Sequence, residues 1–232
     1  MRPNRTSPRV GGFTLLEMAM VLLIMGLLLG GFLGPLSVRQ EANKRQEADA
    51  LLHTIHDSLV GFAITRGYLP CPDLDGDGRE DRNGNQCVGW QDNQAVRVGQ
   101  LPYVTLGAGR LDPWNNRLTY AVDTAFTDSG STPLPRFTSS AFGRIVVKNG
   151  IDHTPALVLS HGANGLGAVN AINQRQQSAT SVSERENADG NATFILDDYR
   201  DLIDNPFDDR MTWIAPNVLA LRLLQAGKPL LP

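Results

Sequence analysis

Three groups of residues combine type and spacing in a way that suits chemistry. The first is Asp73-Leu-Asp75-Gly-Asp77-Gly78-Arg79-Glu80-Asp81-Arg-Asn83-Gly84-Asn85. Carboxylates at alternate positions, a glycine at the sixth, a main-chain carbonyl at the seventh (Arg79) and an acid at the ninth (Asp81) match the first part of an EF-hand-type loop. Hard oxygen donors at this spacing suit Ca²⁺. The twelfth position departs from the pattern, because Gly84 replaces the bidentate glutamate; such a site binds weakly or recruits Asn83 or Asn85. A solvated acidic turn is the alternative. The second group is Cys71 and Cys87, the only two cysteines, which bracket this loop with 15 residues between them. A bridge over such a loop would stabilise by about 3 kcal/mol in the chain-entropy model, and two buried thiols are the alternative. The third is a single residue, Glu17, the one carboxylate in the apolar run 11–37. A charge inside a membrane segment costs about 2.5–3.5 kcal/mol on insertion scales, so it calls for a partner.

Other candidates carry less. His53 and His56 lie one helical turn apart with Asp57 beside them, but no cysteine or third histidine nearby completes a ligand set, and they read as solvated side chains. Ser160-His161 lacks the Gly-x-Ser-x-Gly elbow, and Gly162-x-x-Gly165-x-Gly167 reverses the spacing of the dinucleotide fingerprint. A strand end running into a glycine-rich turn accounts for both, and the expectation is that the chain is not an enzyme.

The elements that must position these residues begin with a leader, residues 1–12, holding Arg2, Arg5 and Arg9 and no acid. The apolar run follows the small residues Gly11 and Gly12 instead of preceding a cleavage site, which is not the order of an ordinary secretory signal. Residues 13–37 are long enough to span a membrane, with Gly34 and Pro35 interrupting the helix near its end. Residues 38–66 continue as an amphipathic helix, with Ala48, Leu51, Leu52, Ile55, Leu59 and Phe62 forming one apolar stripe. Beyond Gly67 the period changes. Strand-like runs fall at 101–106, 117–122, 144–148, 156–160, 193–196 and 211–214, residues 170–191 read as an exposed polar loop, and 215–227 suits a terminal helix opened by Pro216 and stopped by Gly227. The expected class is therefore α+β, with a long N-terminal helix on an antiparallel sheet, and residues 67–232 forming one head domain. Loss of the leader takes three positive charges from a chain of net charge −3 and leaves −6, which does not point to nucleic acid. Arginines ahead of the span keep the leader on the cytoplasmic side and carry the head across, into an oxidising space where the cysteines can pair.

The order Gly12-Phe13-Thr-Leu-Leu-Glu17 behind a basic leader resembles the type III signal of type IV pilins and type II secretion pseudopilins. The resemblance implies cleavage after Gly12 by a prepilin peptidase and methylation of the new terminus, Phe13. It implies that Glu17 answers the N-terminal amine of a neighbouring pilin or pseudopilin subunit during assembly. The partners implied are the peptidase, other subunits, an inner-membrane assembly platform, and the bilayer before assembly. The chain would sit in a bacterial inner membrane as a single-pass protein with a periplasmic head, then join a filament as a low-copy subunit of pilin-like fold. Electrostatics agree, because an amine and a carboxylate that neutralise each other make departure from hydrocarbon favourable. An uncleaved signal anchor, with Glu17 near the interface, is the alternative. Tyr68-Leu-Pro-Cys71-Pro-Asp73, Gly99-Gln-Leu-Pro-Tyr103, Asp112-Pro-Trp114-Asn-Asn-Arg-Leu-Thr-Tyr120 and Ser160-His161-Gly162-Ala-Asn164-Gly165-Leu-Gly167-Ala are similar to segments of larger pilin-like and pseudopilin-like proteins. The Asp-Pro-Trp turn is similar to that of the major pseudopilin head, where a glycine usually stands at the place of Asn115.

Overall fold

Leucine, a strong helix former, is the commonest residue between positions 15 and 66, and the computed structural model runs that stretch into one helix, α1 (Leu15–Arg66). The structure describes residues 12–88, 95–130 and 142–227, without the side chains of 29–37. Contacts divide the chain into two compact units, Met1–Asn43 and Lys44–Pro232. The helix passes Gly34 and Pro35 without a break in its assignment.

In the first unit every large apolar side chain from Leu15 to Leu28 is exposed, Leu15 to 92% and Leu28 to 58%. Among the described residues no helix is long and apolar enough to cross a membrane. The expected span 13–37 falls partly on 29–37, whose side chains lie outside the described residues, as does the leader up to residue 11.

The second unit is α+β. Its main sheet has the order β3 (Val96–Gln100), β4 (Thr119–Asp123), β6 (Ala156–Ser160) and β8 (Arg210–Trp213), all antiparallel. Side chains alternate across this sheet with a period of two. Tyr120, Val122, Ala156 and Val158 face a core built with Leu52, Ile55, Leu59 and Ala63 of α1 and with Leu219 and Leu223 of α4 (Pro216–Gln225). Ala121, Leu157 and Leu159 face a second core with Val147 of β5 (Val146–Lys148) and Phe194 of β7 (Thr193–Ile195). With both faces covered, β6 is buried along its whole length, which its unbroken apolar sequence Ala-Leu-Val-Leu demands. The amphipathic stripe holds, with one shift: Leu51 and Phe62 are half-buried, whereas Val60 and Ala63 are buried.

Three expectations need correction. Residues 101–106 are not a strand, because Pro102 ends the ladder and Tyr103–Leu106 winds into a short helix, α2; the strand is the preceding β3. Sheet pairing is not wholly antiparallel, since β5 and β7 form a separate parallel pair. The polar stretch 170–191 is not only a loop. It holds α3 (Val182–Asn187), capped by the Ser181 hydroxyl, which accepts from the Glu184 amide at 3.2 Å.

Candidate functional site

The acidic loop is anchored at both ends and bent by glycine. At its start, Asp73 and Gln100 exchange two main-chain hydrogen bonds of 2.9 and 2.8 Å, fixing the loop to the end of β3. Cys71 and Cys87 are joined in a disulfide, and Cys87 lies in the small hairpin of β1 (Arg82–Asn83) and β2 (Gln86–Cys87). Glu80 turns inward: its Oε2 accepts from the Cys71 amide at 3.1 Å and from Arg82 Nε at 2.7 Å. At the sixth position Gly78 has φ +86°, and a Cβ there would lie 2.4 Å from the Tyr103 ring, so both conformation and space require glycine.

Within this frame one carboxylate oxygen each from Asp73, Asp75 and Asp81 come within 4.8 Å of one another. Asp77 is not part of that group. It accepts the Arg79 amide at 2.7 Å instead, while its own amide donates to Asp75 at 3.0 Å. The loop thus orders itself largely through its own amides. Asp73 accepts from Gly76 and Gly78, and Asp81 Oδ2 from Leu74 and Asp75. Asp73 also faces a cation of the chain itself. Arg117 Nη1 lies 3.6 Å from Asp73 Oδ2, both side chains are buried, and Arg117 Nη2 donates to the Gly76 carbonyl at 3.0 Å. Burial holds Asp73 above its usual carboxylate range, against the pull of those amides and of Arg117.

Glu17 and Thr14 form a reciprocal cap at the start of α1. The Glu17 amide donates to Thr14 Oγ1 at 3.2 Å, and the Thr14 amide to Glu17 Oε2 at 3.4 Å. Thr-x-x-Glu is the capping-box spacing, with Thr14 as N-cap and Glu17 at the third helical position. The sequence assigned Glu17 only to a neighbour's amine; within one chain the carboxylate already has this local task. Gly12 and Phe13 are exposed, Phe13 to 80%.

Ser160 and His161 are both buried and have different partners. Ser160 Oγ donates to Asp112 Oδ2 at 2.7 Å, and His161 Nε2 meets Thr119 Oγ1 at 2.9 Å. Asp112 in turn accepts the amides of Trp114 and Asn116, closing the Asp-Pro-Trp turn. Asn115 sits in that turn at φ +66°, a left-handed conformation that asparagine tolerates where other side chains do not. His53 and His56 both lean on Asp57, at 3.5 and 3.2 Å.

A second acidic cluster was not singled out by the sequence. Glu184 of α3 and Asp208 and Asp209 ahead of β8 also place one carboxylate oxygen each within 4.8 Å of one another. Glu184 Oε1 accepts from Asn164 Nδ2 at 2.9 Å and from the Asp208 amide at 3.1 Å. Asp208 Oδ2 accepts the Asn164 amide at 2.8 Å, and Asp209 Oδ2 accepts Asn187 Nδ2 at 2.8 Å. The second oxygen of each acid, Glu184 Oε2, Asp208 Oδ1 and Asp209 Oδ1, is buried with no hydrogen-bond partner among the described residues, and so is His161 Nδ1. Burial pushes Asp208 up to about 6 and Asp209 well above the usual range, with the neighbouring carboxylates adding to both. His161 is pushed down to about 4 by burial, with Arg175 adding to the effect.

No known protein family, curated protein or solved structure matches the chain.

Proposed function

We propose that the chain is a structural subunit, a minor pilin or pseudopilin, of a type IV filament. The apolar N-terminal part of α1 holds it in the membrane until assembly, after a prepilin peptidase has cut behind Gly12 and the new Phe13 terminus has been methylated. The observation that carries this reading is the uncovered face of α1. From Leu15 to Leu28 all large apolar side chains are exposed and Glu17 is the one charge. Apolar surface of that extent is stable only against lipid or other protein.

The capping box gives Glu17 a mechanism on each side of the transition. Before assembly its carboxylate accepts the Thr14 amide at 3.4 Å, a long contact that leaves lone pairs unused. Cleavage creates an amine at Phe13, adjacent to that cap. A neighbour's amine then neutralises Glu17 as it leaves hydrocarbon, which converts a cost of about 2.5–3.5 kcal/mol into a pairing. The acidic loop belongs to the head, where Asp73, Asp75 and Asp81 bring one carboxylate oxygen each within 4.8 Å of one another and would hold Ca²⁺. A type II secretion pseudopilin differs from a pilus subunit only in the machine it serves, whereas a calcium-dependent anchored adhesin that never polymerises shares the anchor and differs in its fate after cleavage.

The test is intact-mass analysis of the protein from native membranes and from purified filaments. A methylated chain beginning at Phe13, present in filaments at far fewer copies than the main subunit, is the expected result. A chain retaining Met1 to Gly12 and found only in membranes would overturn the reading, and copy numbers equal to the main subunit would overturn its minor role.

A further inference from the structure

We infer that Glu184, Asp208 and Asp209 form a second metal site in the head, one that takes an oxygen-preferring divalent cation of the size of Ca²⁺. The site is separate from the Asp73 loop and uses none of its residues.

Orphaned oxygens, and the places where the nearby cations go, point to this ion. Glu184 is fully buried and Asp209 is 6% exposed, yet each leaves one carboxylate oxygen without a hydrogen bond among the described residues, as does Asp208. In the Asp73 loop, by contrast, no buried acid oxygen is left over among the described residues. Unpaired buried carboxylate oxygens are costly, and they persist where something else satisfies them. The neighbouring arginines do not. Arg210, next in sequence to Asp209, places its guanidinium on Asp49 in a bidentate pair, and Arg200 pairs with Asp197 at 2.8 Å. Arg45 lies over the Tyr199 ring, 3.6 Å from its centroid, and acts on Asp208 through its field. His161 Nδ1 stays 3.8 Å from Asp209 Oδ1, beyond hydrogen-bonding range.

Geometry also supports binding and release. Asp208 and Asp209 line a cavity of about 250 Å³ together with Asp49, Asp197, Tyr199 and Arg210, which brings solvent to two of the three acids, while Glu184 is fully buried and is not part of that lining. One oxygen of each acid is held by the side-chain amides of Asn164 and Asn187 or by main-chain amides, which fixes the acids in place as second partners of ligating carboxylates do. Three carboxylates with waters or main-chain carbonyls suit the six to eight oxygen ligands of Ca²⁺. Bound there, the ion would tie α3 to the 161–165 turn and to the residues leading into β8.

Thermal unfolding of the full-length protein in detergent, after EDTA treatment, tests this with Ca²⁺, Mg²⁺ and Zn²⁺ added singly. Glu184→Gln and Asp209→Asn are compared with Asp75→Asn/Asp81→Asn, which disarms the other loop. In EDTA the two cluster variants should melt at or above the wild-type temperature, because a neutral amide relieves repulsion; this also shows that they fold. Added Ca²⁺ should raise the Tm of wild type and of the loop variant, and the part of the shift that survives in the loop variant should vanish in Glu184→Gln and Asp209→Asn. An equal Ca²⁺ shift in the cluster variants, or no shift in the loop variant, overturns the site and leaves a proton-sharing carboxyl cluster. Stabilisation by Zn²⁺ alone, lost with His161→Ala, overturns the assignment to an oxygen-preferring ion.

Discussion

Replacing Arg117 by methionine removes the internal counter-ion of the acidic loop while keeping much of its volume. The wild-type side chain is 5% exposed, and it meets Asp73 Oδ2 at 3.6 Å, the Gln100 side chain and the Gly76 carbonyl. Asp73 is fully buried. After the substitution that carboxylate keeps two amide donors and loses its only cationic partner among the described residues. Removing one partner of a buried pair costs about 3–5 kcal/mol, most of it the cost of the charge left behind. At about 2–4 °C per kcal/mol for a domain of this size, the expected fall in Tm is roughly 6–20 °C at pH 7 in EDTA. The double variant Asp73→Asn/Arg117→Met should recover part of the loss, because it removes the unpaired buried charge; the amide keeps one acceptor oxygen and gives up one of the two hydrogen bonds that Gly76 and Gly78 now make to separate carboxylate oxygens. Saturating Ca²⁺ should also offset part of the loss in the single variant, since the ion takes over the counter-charge. Urea unfolding of the three proteins, with and without Ca²⁺, measures these differences. A loss under about 1 kcal/mol in Arg117→Met, or no recovery in the double variant, would show that Arg117 is not the counter-ion of Asp73.

Cys71→Ser/Cys87→Ser opens the loop and should lower stability by about 3 kcal/mol, read by urea unfolding of the oxidised wild type against the variant. Ile55→Ala empties a position of α1 that is 0% exposed in the main core and should cost about 2–5 kcal/mol in the same assay. Asp112 gives a pH signature. Burial raises it above its ordinary 3.8, against the pull of Ser160 and of the Asn116 and Trp114 amides. The native state then binds this proton more tightly than the unfolded chain, so the contribution of Asp112 to stability is full below the ordinary value and falls as pH rises through the shifted one. Asp112→Asn should therefore make stability rise more, or fall less, with pH above about 4, and a pH profile identical to wild type would contradict it.

Much of the architecture is legible in the sequence because its signals are local. The α1 stripe repeats every three to four residues, β6 is an unbroken apolar run, and Pro216 marks the first turn of α4. Strand β3 was not legible. Val-Arg-Val-Gly-Gln offers only Val96 and Val98 on one face before Gln100 interrupts it, and on the other face the close approach of Pro72 and Leu74, where a Cβ would lie 2.8 Å from both, explains Gly99. The parallel pairing of β5 and β7 joins segments more than 40 residues apart, and no local pattern announces it. Helix α3 did carry a signal, since Ser181-Val-Ser-Glu184 is a capping-box spacing inside an otherwise polar stretch. The same contrast separates the two acidic clusters. The Asp73 loop repeats its acids within nine residues and can be read directly, although the sequence could not say that Asp77 stands aside or that Arg117 sits against Asp73. The other cluster draws Glu184 and Asp208 from positions 24 apart, brought together by Asn164 on a turn before either.

Assembly through Glu17 stands or falls with the behaviour of Glu17→Ala. The variant loses the capping box, worth about 0.5–2 kcal/mol at the helix start, and gains ease of insertion, so its cleavage behind Gly12 and its membrane level should match wild type. Quantitative mass spectrometry of purified filaments from cells expressing the variant should then find it absent, with the mature chain accumulating in the membrane. Incorporation of Glu17→Ala at the wild-type level would contradict a role for this carboxylate in assembly.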